Sequence, residues 1–421
     1  MNVLSYTVVF GVALCAAYIL INVRVLARIN KTDLSLLGQL SMPLAMMLIV
    51  GLVLGLVNHN DTYDMLKDAY FFIKVLIYLT FGYVFFQKNP AIVIVRTFIW
   101  FGIAVSILYV LLLIGFIASE MVDVSSVDRY RKSIPDLPYD PLMSIALLLF
   151  VMPRTGLLGR NALFISLLQS VAVVSTLSRL SLLILFAVFA MYVKMKLKLS
   201  RGLFMLPLML SVVGVVSIIV IFEPGKHEDS VGGQLLFKIS NVFNETLSSD
   251  FKDRQAIIEN WRAYEALQGV IKFSLGSRTE QLFGHGFGAL TDIGFEIKLG
   301  GVVRSDIPIF HNGYVFLLVK LGLLGMLLYS LFIYGIYSQM KKFRKKFWKG
   351  EFNQLAKGVR ITMGVLIFFL IAITAVFFGI FNNAIFNNLV ILLVMLLLYY
   401  GNTLTRGVEE RSMRPSAVRP R

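Results

Sequence analysis

The chain has 421 residues, of which 57% are apolar and 15% charged, and its mean hydropathy is +0.78. No soluble domain has an interior large enough to hide that much apolar surface, so the excess must face lipid. The formal net charge is +16, but no aromatic–basic readout surface accompanies it, and nucleic acid is not expected as a partner.

Apolar runs long enough to cross a bilayer recur along almost the whole chain, and their continuity excludes the short alternating segments of a transmembrane β-barrel. The fold class expected is all-α: a polytopic helical membrane protein with about eleven transmembrane helices. They fall near residues 4–23, 34–57, 65–86, 91–117, 141–153, 161–177, 180–195, 203–222, 309–339, 360–380 and 384–401. The first eight occupy 1–222, a large loop fills 223–308, the last three lie in 309–402, and 403–421 is a basic tail. The single cysteine, Cys15, excludes an internal disulfide and a multi-cysteine metal site. Val12-Ala13-Leu14 before it is similar to a lipoprotein cleavage box, but Leu14 is bulky and no basic residue precedes the run. Residues 4–23 are therefore expected to be a retained span.

Basic residues collect in one set of alternate connections. These hold Arg24, Arg28 and Lys31; Lys88; Arg154 and Arg160; Lys194, Lys196, Lys198 and Arg201; the run KKFRKKFWKG at 341–350; and the tail arginines. The positive-inside rule makes that set cytoplasmic, with the N-terminus outside and the C-terminus inside. Membrane lipids, anionic ones included, are then expected partners.

Two outside loops stand out. Residues 118–140 contain VDRYRKSIPDLPYDP, whose prolines predict an ordered, turn-rich hairpin. Residues 223–308 form a far longer connection, and FKDRQAIIENWRAYEALQGVI within it places Ile257, Ile258, Trp261, Tyr264, Leu267 and Ile271 at helical spacing. Ser249 or Asp250 caps this amphipathic helix in the expected arrangement, and it lies on the bundle or at the lipid interface. No internal repeat supports the two-half architecture of many transporters.

Ionisable groups within or at the edge of a membrane are costly and therefore informative. His311 follows Ser305, Asp306 and Pro308, which read as the cap and first turn of the ninth span. A helix N-terminus disfavours imidazolium, so this ring is expected neutral and able to accept a proton. Arg179 interrupts VVSTLSRLSLLILF, either as an ordinary turn charge or as a fixed cation for a phosphate at the bilayer surface. Arg254, Arg262, Arg278 and Arg304 lie in the large loop among a similar number of acids, and one or two of them, Arg254 and Arg262 first, are candidates for substrate contact.

Lys74 and Lys320 fall roughly nine residues below the outer surface, on the order of 13 Å at 1.5 Å per residue. Each lines a hydrated cavity or pairs internally, Lys74 with Asp64 or Asp68 above it. His285 sits among Gly284, Gly286 and Gly288, which allow close backbone approach, but no strand–helix unit makes this a nucleotide site. A structural turn is the simpler reading. His59 and His227 have no supporting partners, and the scattered histidines give no metal-ligand spacing.

GHGFG, followed some twenty residues later by HNGY and then LVKLGLLGMLLY, resembles the signature of the O-antigen ligase and polysaccharide polymerase superfamily. RQAIIENWR upstream and Ser178-Arg179 are similar to further features of that family. The resemblance implies a membrane-embedded glycosyltransferase of GT-C-like architecture in the bacterial inner membrane, its active site facing the periplasm. Its donor would be a glycan on undecaprenyl diphosphate, its acceptor a growing glycan or the lipid A-core, and a chain-length regulator or flippase a possible partner. By motif, His311 takes the place of the family histidine, Arg179 that of the membrane-edge arginine, and Arg254 that of the arginine before the loop helix. Arg262, Arg278, Arg304, Lys74, Lys320, His285 and Asn312 are carried as substrate-binding candidates. At Lys320 an acidic or neutral residue is the more usual one.

The physical logic needs no cofactor and no metal. Fixed arginines stabilise the departing diphosphate, and neutral His311 positions or deprotonates the acceptor hydroxyl. Direct displacement inverts the anomeric centre. A polymerase is preferred over a ligase because the loop is compact and needs no outer-core docking surface. A transporter without chemistry is the reading from a different class.

Overall fold

The computed structural model describes residues 3–27, 31–119, 140–152, 156–176, 178–197, 257, 261–299, 302–342, 351–377, 391 and 393–399. The chain divides into two compact units, one of Met1–Ile94 with Glu265–Arg421 and one of Val95–Tyr264. The helices are α1 (Val3–Ile21), α2 (Val23–Ala27), α3 (Lys31–Val57), α4 (Thr62–Lys88), α5 (Ala91–Ala118), α6 (Asp140–Phe150), α7 (Gly156–Arg160), α8 (Ala162–Ser175) and α9 (Arg179–Leu197). Then come α10 (Trp261–Leu275), α11 (Arg278–Phe283), strands β1 (Thr291–Leu299) and β2 (Val302–Ile307), α12 (Gly313–Lys342) and α13 (Glu351–Phe377).

Among the described residues five stretches are long and apolar enough to cross a bilayer: Leu34–Val57, Thr62–Lys88, Ile92–Ala118, Gly313–Lys341 and Lys357–Ala375. Many of their large apolar side chains are exposed, Leu56, Ile49, Leu111 and Phe101 among them, as lipid-facing side chains are. The molecule is a helical membrane protein. The expected spans at 34–57, 65–86, 91–117 and 360–380 coincide with these helices to within a few residues at most of their ends. The runs at 4–23, 141–153 and 161–177 hold the shorter apolar helices Val9–Ile21, Asp140–Phe150 and Ala162–Ser175, and 180–195 falls in α9. The expected span 203–222 lies outside the described residues, as do most of the 118–140 loop and the start of the amphipathic helix at Ser249 and Asp250. The last expected span, 384–401, is described at 391 and 393–399, where it is helical.

All-α needs a correction. β1 and β2 pair antiparallel, Thr291 opposite Ile307 and Leu299 opposite Val302, with an irregularity between Asp292 and Ile297. The cause is local: Ile293, Phe295, Ile297 and Leu299 alternate with Gly294, Glu296 and Lys298, the period of a strand. The described part of the large loop is therefore mixed, with a helix, a short capped helix and a hairpin.

In the first unit α4 begins where the Asp61 side chain accepts the Asp64 N–H at 3.0 Å and stops two residues before Pro90, with Asn89 already extended. It presents a buried stripe of Asp64, Asp68, Phe72, Val75 and Leu79, and α3 packs against both α4 and α12. α12 is not one continuous rod. Gly322 within it has φ 62° and ψ −157°, which breaks the helix. The bend is sharp enough that a Cβ on Gly325 would stand 3.2 Å from the Leu317 carbonyl oxygen, and the rings of Tyr314 and Tyr329 meet edge to face at 6.0 Å.

The break leaves carbonyl oxygens that would ordinarily accept from the N–H groups four residues on. A passing chain supplies the donors. His285 N–H donates to the Val319 carbonyl and Gly286 N–H to that of Lys320, both at 2.9 Å. One residue further on, Phe287 N–H donates to the Gly51 carbonyl at 2.8 Å, its ring stacking on Phe72 with centroids 5.1 Å apart. Backbones meet so closely here that a Cβ on Gly284 would lie 2.3 Å from the Leu321 nitrogen, and one on Gly286 2.2 Å from the Gly55 nitrogen. Both residues also have positive φ, 82° and 79°, so glycine is required twice over.

In the second unit α6, α8 and α9 pack together. A buried polar ladder helps hold it. Ser144 Oγ donates to the Ile99 carbonyl at 3.1 Å and accepts from Gln169 Nε2 at 2.9 Å, with Gly102 letting Ser144 approach closely.

Gly286→Ala must add a positive-φ strain on the order of 1–3 kcal/mol to a backbone overlap, and the expected result is little or no monodisperse protein on fluorescence-detected size exclusion. Gly364→Ala, with nothing within 4 Å of its Cβ position, is expected to match or slightly exceed the parent in thermal stability.

A candidate site around His311 and Glu265

His311 lies in the connection between β2 and α12, not inside the helix. Ser305 and Asp306 belong to β2 and cap nothing. Asn312 is the cap: its Oδ1 accepts the N–H groups of Tyr314 and Val315 at 2.9 and 3.3 Å. That corrects the expected start of this span and gives Asn312 a structural task at it.

Glu265 of α10 holds His311 twice. Oε1 accepts the His311 backbone N–H at 2.9 Å, and Oε2 accepts from ring Nδ1 at 2.6 Å. The carboxylate side chain is 3% exposed and the imidazole 49%. A buried carboxylate needs such partners, because desolvating it without them is costly. Facing that acceptor, Nδ1 is assigned the proton, which leaves Nε2 as the free acceptor nitrogen on a half-exposed ring. The orientation is fixed further by packing one turn along α10. Gly269 leaves room for the buried ring of Phe310 and for Val315, whose Cγ1 would be 2.3 Å from a Cβ there. Glu265 and Gly269, four residues apart, share the face of α10 that meets the 310–315 segment.

Lys320 is fully buried and forms an ion pair with Asp68, Nζ to Oδ2 at 2.7 Å. Nζ also donates to the Ala289 carbonyl at 2.6 Å, and the same Asp68 oxygen accepts the Gly288 N–H at 2.8 Å. The pair is a staple between α4, α12 and the glycine loop, so of the two expected arrangements Lys320 takes the internal pairing. It also answers the question of the partner of Asp68, which is Lys320 and not Lys74. Lys74 is equally buried, with its ammonium 5.3 Å from the ring centre of Phe71 and 6.0 Å from that of Tyr70. It too is placed in the interior and not on an open surface.

His285 occupies the structural turn that its glycines suggested. Asn58 and Asn60 both donate to its carbonyl at 2.9 Å, and its Nδ1 lies 3.2 Å from Glu280 Oε1. Burial, then the nearby Lys272 ammonium, holds the His285 imidazole below the usual histidine range. Glu280 is pulled below the ordinary carboxylate range, first by the Ser277 N–H of its capping box.

Of the arginines, Arg278 opens α11 and is exposed, and Arg304 on β2 is half-buried. Both belong to the first unit with His311. Arg262 is an exposed residue of the second unit, where Arg179 is the first residue of α9. Arg254 and His227 lie outside the described residues, and His59 is exposed with φ 53° in the α3–α4 turn. Among the described residues no group of three or more His, Cys, Asp or Glu could hold a metal ion.

The residue that sequence reasoning missed is Glu265. A signal existed: it stands four residues after Trp261, an acid on the apolar stripe of its helix. No family model matches the chain, and neither the curated proteins nor the solved structures contain a significant match.

Breaking the staple by Lys320→Met leaves Asp68 charged and buried, and the expected cost is about 3–5 kcal/mol, read as a large drop in unfolding temperature in detergent. Asp68→Leu combined with Lys320→Met should recover most of that loss. A second expectation concerns pH. The His285 pKa is lower folded than unfolded, so its contribution to stability is complete above the ordinary value near 6.5 and is lost as pH falls below it. Unfolding temperature against pH should therefore fall less steeply below pH ~6.5 in His285→Gln than in the parent.

Proposed function

We propose that the chain is a membrane-embedded glycosyltransferase of the polysaccharide polymerase kind, acting at the outer face of the bacterial inner membrane. It joins oligosaccharide repeat units carried on a polyprenyl diphosphate. The reading rests on the motif order GHGFG…HNGY, and the observation that carries it is the half-exposed imidazole of His311 held by a buried carboxylate.

Such a pair is suited to take a proton from a hydroxyl. Glu265 keeps the Nδ1 proton in place and balances charge as the ring becomes imidazolium, so Nε2 is the acceptor. In the proposed step an acceptor sugar oxygen attacks the anomeric carbon. The bond from that carbon to the diphosphate oxygen breaks with inversion, the electron pair leaves on the diphosphate, and the hydroxyl proton passes to Nε2. Arginines are the natural stabilisers of the departing charge, with Arg179 and Arg254 proposed from the motif and Arg278 and Arg304 as first-unit candidates. Glu265 is then a positioning residue.

The test is a deletion strain complemented with His311→Ala or Glu265→Gln at matched protein levels. His311→Ala should abolish the surface-glycan ladder, and Glu265→Gln should lower transfer by about 10²–10⁴-fold in vitro with an altered pH profile. In the deletion strain a core bearing a single repeat fits a polymerase, and a bare core would instead make the chain a ligase acting on lipid A-core. An unchanged ladder with His311→Ala would refute the site.

A further inference from the structure

A groove of about 370 Å³ runs between α12 and α13, with Tyr329, Ser330, Tyr334, Tyr337, Ile367 and Ile371 among its walls. Both walls belong to stretches long and apolar enough to span a bilayer, so its natural content is a hydrocarbon chain and not water. Tyr334 is 61% exposed and Tyr337 37%, and their rings lie 6.3 Å apart. At the other end Tyr314 donates its hydroxyl proton to the Ile371 carbonyl at 3.1 Å, which closes the slot with a hydrogen-bonded ring.

The open end carries cations from both walls. Lys341, one turn beyond Tyr337 and exposed, holds its ammonium 4.7 Å from the centre of that ring. On α13, Arg360 lies on the stripe that continues through Gly364 and Ile367 to Ile371, spaced four, three and four residues. Nothing stands within 4 Å of a Cβ on Gly364, which lies between Arg360 and Ile367 on that stripe. α12 ends and α13 begins on the same side, because only the eight residues 343–350 join them. An apolar, tyrosine-lined slot whose mouth is flanked by a lysine and an arginine is complementary to a hydrocarbon chain ending in a negative headgroup.

We propose that this groove is a binding site for one anionic glycerophospholipid, an acyl chain between the tyrosines and the phosphate between Lys341 and Arg360. The site is independent of the transferase reading. It uses neither His311 nor Glu265, and it predicts lipid-dependent stability whatever the chain's reaction is.

The experiment compares phosphatidylglycerol and phosphatidylcholine of identical chains, each titrated into the detergent-purified full chain, with unfolding temperature and native mass spectrometry as readouts. The expected result is a larger upward shift with phosphatidylglycerol and one retained copy of it. Lys341→Gln with Arg360→Gln should erase the difference between the two lipids. Ser330→Trp, which fills the slot, should reduce the shift with both. Equal shifts by the two lipids on the parent, or an undiminished phosphatidylglycerol shift in Ser330→Trp, would mean ordinary boundary lipid and overturn the proposal. Should Ser330→Trp fail to fold, the charge variant decides alone, since its residues are not in the packed interior.

Discussion

An unpaired charge inside an apolar bundle costs several kcal/mol, so a buried ammonium and a buried carboxylate must find each other. Asp68 and Lys320 do so with both side chains at or below 1% exposure. Neither is satisfied by the other alone. Each also hydrogen-bonds the glycine loop, Asp68 Oδ2 through the Gly288 N–H and Lys320 Nζ through the Ala289 carbonyl, while Asp68 Oδ1 is buried without a hydrogen-bond partner. The pair therefore orders three segments distant in sequence, α4, the loop after α11 and the first half of α12. Removing either partner undoes more than one contact.

This arrangement also accounts for the broken helix. A break in a membrane helix is tolerated where its freed backbone groups are satisfied by protein. Here the loop that Asp68 and Lys320 hold is the loop whose N–H groups meet the freed carbonyls of Val319 and Lys320. Ahead of the turn at Gly322, Val315 at the start of α12 and Phe310 just before it pack onto Gly269 of α10, beside the contact of His311 with Glu265. Lys320 of the staple and the cap residue next to His311 stand eight residues apart at the start of α12. The glycine-rich signature is a packing device for the break, and the histidine that follows it is what the device presents.

Legibility in the sequence followed the strength of the pattern. The long apolar runs at 34–57 and 91–117 were plain, because their hydrophobicity is continuous and their ends carry turn residues or charge. The break at Gly322 was hidden, because an apolar run reads the same straight or bent, and a glycine inside it signals nothing without its neighbours. Along a straight rod Lys320 has a depth but no identified partner, so a hydrated cavity and an internal pair stay equally open for it. The hairpin was missed for a different reason. TDIGFEIKL has strand alternation and precedes Gly300-Gly301, a turn signal, but the helical reading of the loop masked it. His311 was legible as a helix-entrance histidine, though its cap was misplaced by several residues. Its carboxylate partner lies 46 residues away, and long-range pairing of that kind has no local sequence signature beyond an acid on an apolar stripe.

His311 and Glu265 are proposed to serve chemistry and not passage of a solute. The direct test gives the detergent-purified chain a polyprenyl-diphosphate-linked oligosaccharide and follows release of the lipid diphosphate together with a lengthened glycan. Detergent solution has no second compartment, so a pure transporter has nothing to do there. The expected result is turnover that requires the His311 imidazole. Intact donor after prolonged incubation, from protein that moves the same donor across reconstituted vesicles, would contradict it.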